Sequence, residues 1–145
     1  MDFMTALDIG ASGLEAQRSY LNVISMNMAN ARTTRTPEGG PYIRKSVSLE
    51  ANTVYSPFDD AMRDQMNQEL KGVSVRGVVN DARPFKHVYD PGHPDANKEG
   101  YVIYPDINVV EEMTNMMSVM RSYEANVQSI QAVKTMFTKA LSIGR

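Results

Sequence analysis

Two histidines and two carboxylates, His87, Asp90, His93 and Asp95, fall within nine consecutive residues, a spacing at which imidazole and carboxylate can share a divalent ion such as zinc. Pro91 and Pro94 stiffen the same stretch and no further cluster supplies an outer shell, so a rigid, solvated connector is the stronger reading. Met113, Met116, Met117 and Met120 place four thioethers within eight residues, and thioether is a ligand that copper(I) accepts. At helical spacing inside an apolar row, however, methionine more commonly serves as adaptable packing, and an adaptable seam tolerates slightly different neighbours. The expectation is no metal and no cofactor.

Covalent catalysis has less to work with. Cysteine is absent, no Gly-x-Ser-x-Gly elbow exists, and both histidines lack an evident orienting partner. Glu111 and Glu112 are adjacent and diverge on a helix, which suits capping more than paired acid and base work. Gly10-Ala11-Ser12-Gly13 lacks the Lys-Ser or Lys-Thr ending of a phosphate loop and follows no strand. The chain therefore reads as a non-enzyme, and attention moves to the elements themselves.

The ends and the middle of the chain differ in composition. Residues 33–106 hold all 7 prolines and 20 of the 32 formal charges, which leaves both ends free to form helices. In the first segment Leu7, Leu14, Leu21 and Met28 recur every seven residues. Phe3, Gly10, Gln17, Ile24 and Ala31 form the interleaved row, and together the two rows make a coiled-coil seam ending near Asn30. Gly10 and Gln17 stand where larger apolar groups are wanted, so this seam reads as the weaker one.

The last segment is more regular. Val109, Met113, Met116, Met120, Tyr123, Val127, Ile130, Lys134, Phe137 and Leu141 alternate steps of four and three, with Lys134 the one polar member. Asn108 and Glu111 read as a capping box, Glu112 adds charge that the helix dipole favours, and Gly144 marks a stop. A helix over 108–143 would be about 54 Å long at 1.5 Å per residue, too long for a compact domain of this size. A second apolar row, Val110, Met117, Val133, Met136 and Ala140, widens the face beyond what one partner needs, which argues for assembly.

Between the helices, Thr36 to Pro41 is turn chemistry, and Tyr42–Leu49 and Val73–Val79 read as strands. Ser56–Lys71 is expected to be a loop or short helix, and His87–Asp106 extended and irregular. The resulting division is an N-terminal coiled-coil helix (1–32), a small β-hairpin or irregular middle (33–106) and a C-terminal coiled-coil helix (107–145), a mainly α chain. Net charge is −2 with both signs interspersed, so no basic stripe suits nucleic acid. No run approaches the roughly 20 apolar residues that span a bilayer, and the polar faces lack the lysine, arginine and tryptophan of a membrane-surface helix. Nothing at the start has the form of a cleaved signal peptide.

Ala11-Ser12-Gly13-Leu14-Glu15-Ala16-Gln17 and Leu21-Asn22-Val23-Ile24-Ser25-Met26-Asn27-Met28-Ala29-Asn30 resemble the N-terminal signature of the flagellar basal-body rod proteins, the axial proteins of the bacterial flagellum. Met28 stands where that signature usually has leucine. Glu112-Met113, then Arg121-Ser122-Tyr123-Glu124-Ala125-Asn126 and on to Lys134, is similar to the family's closing helix. Val88–Ala96, Gly100–Val102 and Pro105–Val110 look like the proximal rod branch. The stretch from Ser56 to Leu70 departs from the family by its length. The resemblance implies export through the flagellar type III apparatus without cleavage, a place in the periplasmic rod of the basal body, and self-assembly with other rod proteins. On this reading the two terminal helices pair as an antiparallel coiled coil, and Leu7, Leu14, Leu21, Ile24, Met28, Asn30 and the ten-residue row from Val109 to Leu141, Lys134 excepted, form the assembly interface. Another axial rod subunit, or a soluble coiled-coil adaptor of the export system, are the alternatives.

Overall fold

Helix α1 (Phe3–Ala29) opens the computed structural model, which describes residues 3–53 and 71–143. Asn30 ends the helix: its side-chain amide donates to the Met26 carbonyl at 2.9 Å, and its oxygen accepts the Thr33 hydroxyl at 3.2 Å. The Met26 carbonyl, which also accepts the Asn30 backbone N–H at 3.1 Å, is thereby bonded twice by the same residue. The chain then reverses through Thr36–Gly40, closed by Thr36 N–H to the Gly40 carbonyl at 2.9 Å. Gly39 and Gly40 take φ of 91° and 78°, a left-handed region in which a side chain would be strained.

Two strands follow, β1 (Lys45–Thr53) and β2 (Lys71–Asn80), hydrogen-bonded to each other as a two-stranded sheet. β2 covers the stretch expected at Val73–Val79, whereas β1 shares only 45–49 with the expected Tyr42–Leu49 and runs on to Thr53. The irregular stretch expected over His87–Asp106 is corrected: β3 (Lys86–Tyr89) and β4 (Tyr101–Tyr104) pair antiparallel, with Val88 opposite Val102 and Tyr89 opposite Tyr101. Pro91 and Pro94 lie in the connection between them, and six of the eight paired positions, all but Lys86 and His87, are β-branched or aromatic residues that favour a ladder. Helix α2 (Val109–Ile143) completes the chain. Its N-cap is Asn108, whose side-chain oxygen accepts from Val110 N–H at 3.0 Å. Glu111 bonds Arg83 at 3.4 Å, so among the described residues only the Asn108 half of the expected box is made. The expectations for Ser56–Leu70 and Gly144 lie outside the described residues.

Compactness divides the chain into two units, each containing parts of both helices and of the β1–β2 ribbon. One gathers the described residues up to Ser19, those within Leu49–Arg76 and those from Val119 onward. Here Phe3 and Phe137 stack with ring centroids 4.1 Å apart and planes 17° from parallel. Ser12 accepts from Val73 N–H at 3.2 Å, joining the helix to β2. Gly10 lies directly beneath Ile130, so that a Cβ at this position would come 2.7 Å from Ile130 Cγ1, and one at Gly13 would meet the Asn126 amide at 3.0 Å.

The missing side chain at Gly10 is therefore what admits Ile130, and the weak point read from sequence is a site of closest approach. Gly10→Leu should destabilise this unit by about 1–3 kcal/mol through overpacking, despite leucine's better helix propensity. Urea unfolding of the Gly10→Leu and Ile130→Ala single and double variants checks this. A double variant no better than Gly10→Leu alone would place the clash elsewhere.

The second unit comprises Tyr20–Ser48 and Gly77–Ser118. Its core includes Val23, Ile24, Tyr42, Val47, Val102 and Ile107. Tyr20, Val23 and Asn27 follow one another at helical steps, so one face of α1 is covered by the chain that follows it.

Candidate assembly surface

The apolar rows of the two helices end up in different environments. On α1, Ile24 is buried, while Leu7, Leu14, Leu21, Met28 and Asn30 are partly covered. On α2, Met116, Val127 and Ile130 are partly covered, whereas Val109, Met113, Met120, Tyr123, Phe137 and Leu141 are exposed. Val110, Met117 and Met136 of the second row are also exposed, and exposure rises to 85% at Ile143. Such a run of large apolar side chains is a surface that a lone soluble chain seldom carries. Two pairs in the first unit meet across the helices, Phe3 with Phe137, and Ile130 with Gly10.

Buried polar residues, which hydrophobic periodicity does not reveal, hold the middle segment in place. Asn27 is 1% exposed. Its Oδ1 accepts from Lys45 N–H at 2.9 Å and from the Tyr42 hydroxyl at 3.1 Å, and its Nδ2 donates to the Lys45 carbonyl at 2.8 Å. The side-chain amide thus exchanges both bonds with one residue of β1, as a neighbouring strand would. Tyr20 adds a longer hydroxyl bond to the Val47 carbonyl at 3.5 Å.

A chain of alternating charges lies nearby. Glu112, also 1% exposed, accepts on Oε1 from Arg44 Nε at 2.8 Å and Nη2 at 2.7 Å. Arg44 Nη1 reaches Asp81 at 2.7 Å, Arg83 Nε meets the same Asp81 oxygen at 3.1 Å, and Arg83 continues to Glu111. The Asp81 N–H bond to the Arg44 carbonyl at 2.8 Å holds the two flanks of the β1–β2 ribbon together beneath these side chains. Burial pushes the Tyr42 phenol above its ordinary pKa, and the Glu112 carboxylate acts in the same direction. The Glu111 hydrogen bond likewise raises Arg83. Separately, the bond from Lys86 at 2.6 Å holds Asp106 below the usual carboxylate range, tying β3 to the chain just before α2.

The four residues of the metal reading are engaged separately, two of them in local turns. Asp90 Oδ1 accepts from Gly92 N–H at 3.2 Å, His93 Nδ1 from Asp95 N–H at 3.1 Å, and Asp95 Oδ2 from the Thr34 hydroxyl at 2.8 Å, while His87 sits exposed on β3. Among the described residues, no group of three or more histidine, cysteine or acidic side chains is placed to hold an ion. No helix among them is long and apolar enough to cross a membrane.

Residues 7–35 match the family described as flagella basal body rod protein, and residues 98–143 match the C-terminal family of flagellar basal body rod FlgEFG proteins. Whole-chain similarity is more specific. The chain is 41% identical to the flagellar basal-body rod protein FlgC of Borreliella burgdorferi, covering 99% of this chain and 98% of that protein. It is 42% identical to the FlgC of Bacillus subtilis, with 97% of each covered, and 38% identical to that of Salmonella typhimurium over the full length of both.

Proposed function

The chain belongs to the FlgC family of flagellar basal-body rod proteins, and from that premise we propose that it is a structural subunit of the proximal rod, polymerising by helix packing into the shaft that carries torque from motor to hook. The role is mechanical and not enzymatic. Within each subunit α1 and α2 pair as an antiparallel coiled coil. In support, contacts at Phe3, Gly10 and Gly13 fall on Phe137, Ile130 and Asn126, so that partners descend along α2 as α1 ascends. The assembly interface is formed by Leu7, Leu14, Leu21, Ile24, Met28 and Asn30 of α1 with Val109, Met113, Met116, Met120, Tyr123, Val127, Ile130, Phe137 and Leu141 of α2. The segments 1–32 and 107–145 build the helical shaft and 33–106 lies to its side. Delivery proceeds uncleaved through the flagellar type III export apparatus to the periplasm, and the partners there are further copies and other rod proteins.

The exposed apolar face of α2 carries this reading, since it is a surface left to be covered. In cells lacking their own copy, the chain should restore motility and be recovered in purified basal bodies. Leu141→Asp, at a position 61% exposed, should leave the circular dichroism of the purified chain unchanged and be missing from basal bodies. Recovery of the unaltered chain solely in discrete soluble complexes would instead identify an adaptor, and recovery in a different part of the axial structure another axial subunit.

A further inference from the structure

Four of the 11 methionines fall in residues 113–120. Met113, Met117 and Met120 follow the i, i+4, i+7 spacing of a single helix face, and their exposures are 49%, 56% and 48%. Met116, in the same window, is partly covered. The chain has no cysteine, so no thiol competes for an oxidant and thioether is the sole sulfur chemistry it offers. We propose that Met113, Met117 and Met120 form a peroxide-reactive patch whose oxidation to sulfoxide disables this face of α2 for packing against a second copy.

The step is balanced. A sulfur lone pair attacks one oxygen of hydrogen peroxide, an S–O bond forms as the O–O bond breaks, two electrons pass from sulfur to the oxidant, and the proton on the transferred oxygen passes to the departing hydroxide, which leaves as water. The product is a methionine sulfoxide that needs a hydrogen-bond donor; Val109, Val110 and Met116 beside it supply none, and apart from Arg121 and Tyr123, i+4 from Met117 and i+3 from Met120, the donor must come from water. An exposed sulfoxide is solvated and harmless to the free subunit. The same group trapped in a packed seam is not, so oxidation acts on assembly and spares the fold. This consequence rests on the reading that α2 packs against other copies.

Limited hydrogen peroxide applied to the full-length chain, followed by peptide mass mapping, tests the patch. Sulfoxide should appear at Met113, Met117 and Met120 several-fold faster than at the partly covered Met116 and Met28. Equal rates at all five would overturn the proposal. Sedimentation then tests the consequence: self-association should weaken on the order of tenfold or more, the cost of one unsatisfied polar group, and return after treatment with both methionine sulfoxide reductases. Because Met136, 70% exposed, lies in the second apolar row of the same helix, the comparison is made in a Met136→Leu background: there a Met113→Leu/Met117→Leu/Met120→Leu variant, compared with its own untreated level, should change less than twofold on peroxide. Loss as large as in the unaltered chain would assign the effect to other residues. A chain that does not associate even before peroxide overturns the assembly reading and the consequence with it, while the mapping still decides whether the patch is oxidised.

Discussion

Replacing Arg44 with methionine should lower the unfolding free energy by about 3–5 kcal/mol, because it leaves Glu112 buried with its charge uncompensated. For a chain of this size that corresponds to a fall in melting temperature on the order of 10 °C. The magnitude comes from the stranded carboxylate more than from any net strength of the pair. Accordingly Arg44→Met combined with Glu112→Leu should recover most of the loss, since an apolar pair of similar volume needs no partner. Thermal and urea unfolding of the single and double variants decide the matter, and a double variant as unstable as Arg44→Met would contradict the account. Arg83 and Glu111, at 36% and 44% exposure, give the contrast: breaking that solvent-screened pair should leave the melting temperature nearly unchanged.

Asn27→Leu carries the second large effect, about 3 kcal/mol. It removes three hydrogen bonds at once and strands the Lys45 backbone groups and the Tyr42 hydroxyl where water reaches them poorly. Leucine has the same number and branching of side-chain heavy atoms as asparagine and is better suited to a helix, so branching and propensity alone predict too small a change. Amide hydrogen exchange at Lys45 separates the explanations. Protection should collapse there in Asn27→Leu, and unchanged protection would mean that the amide clamp contributes little. Asn27→Asp should be comparably damaging, because it sets a carboxylate oxygen against the Lys45 carbonyl that the amide now donates to.

These two residues also mark the boundary of what the sequence discloses. Both helices were legible, because a seven-residue apolar repeat has one geometric solution; alternation disclosed the centre of Lys71–Asn80 and the first half of Lys45–Thr53, but not the continuation past Leu49. The β3–β4 hairpin was not. Its strands are four residues each, and the prolines at 91 and 94 dominate the composition of the stretch they merely connect. Asn27 and Glu112 were hidden for a different reason. Periodicity tracks apolar residues, and a buried amide or carboxylate looks like surface until its partner is known, here 18 and 68 residues away. At Gly10, helix propensity speaks of one helix, while the close approach of Ile130 depends on two. The resemblance to rod proteins rested partly on Asn27-Met28-Ala29-Asn30, whose two asparagines prove to be the strand clamp and the helix cap.

The separation between Arg44 and Glu112 has a kinetic side. Helix α1 can nucleate from its own sequence within microseconds, and the hairpin closes over a short loop. The ion network cannot, because it joins residues 68 apart and waits for chain from both ends to be present and collapsed. Secondary structure should therefore appear well before the Tyr42 environment does. A nascent subunit then passes through an interval in which its helix exists but its middle segment has no fixed place to dock.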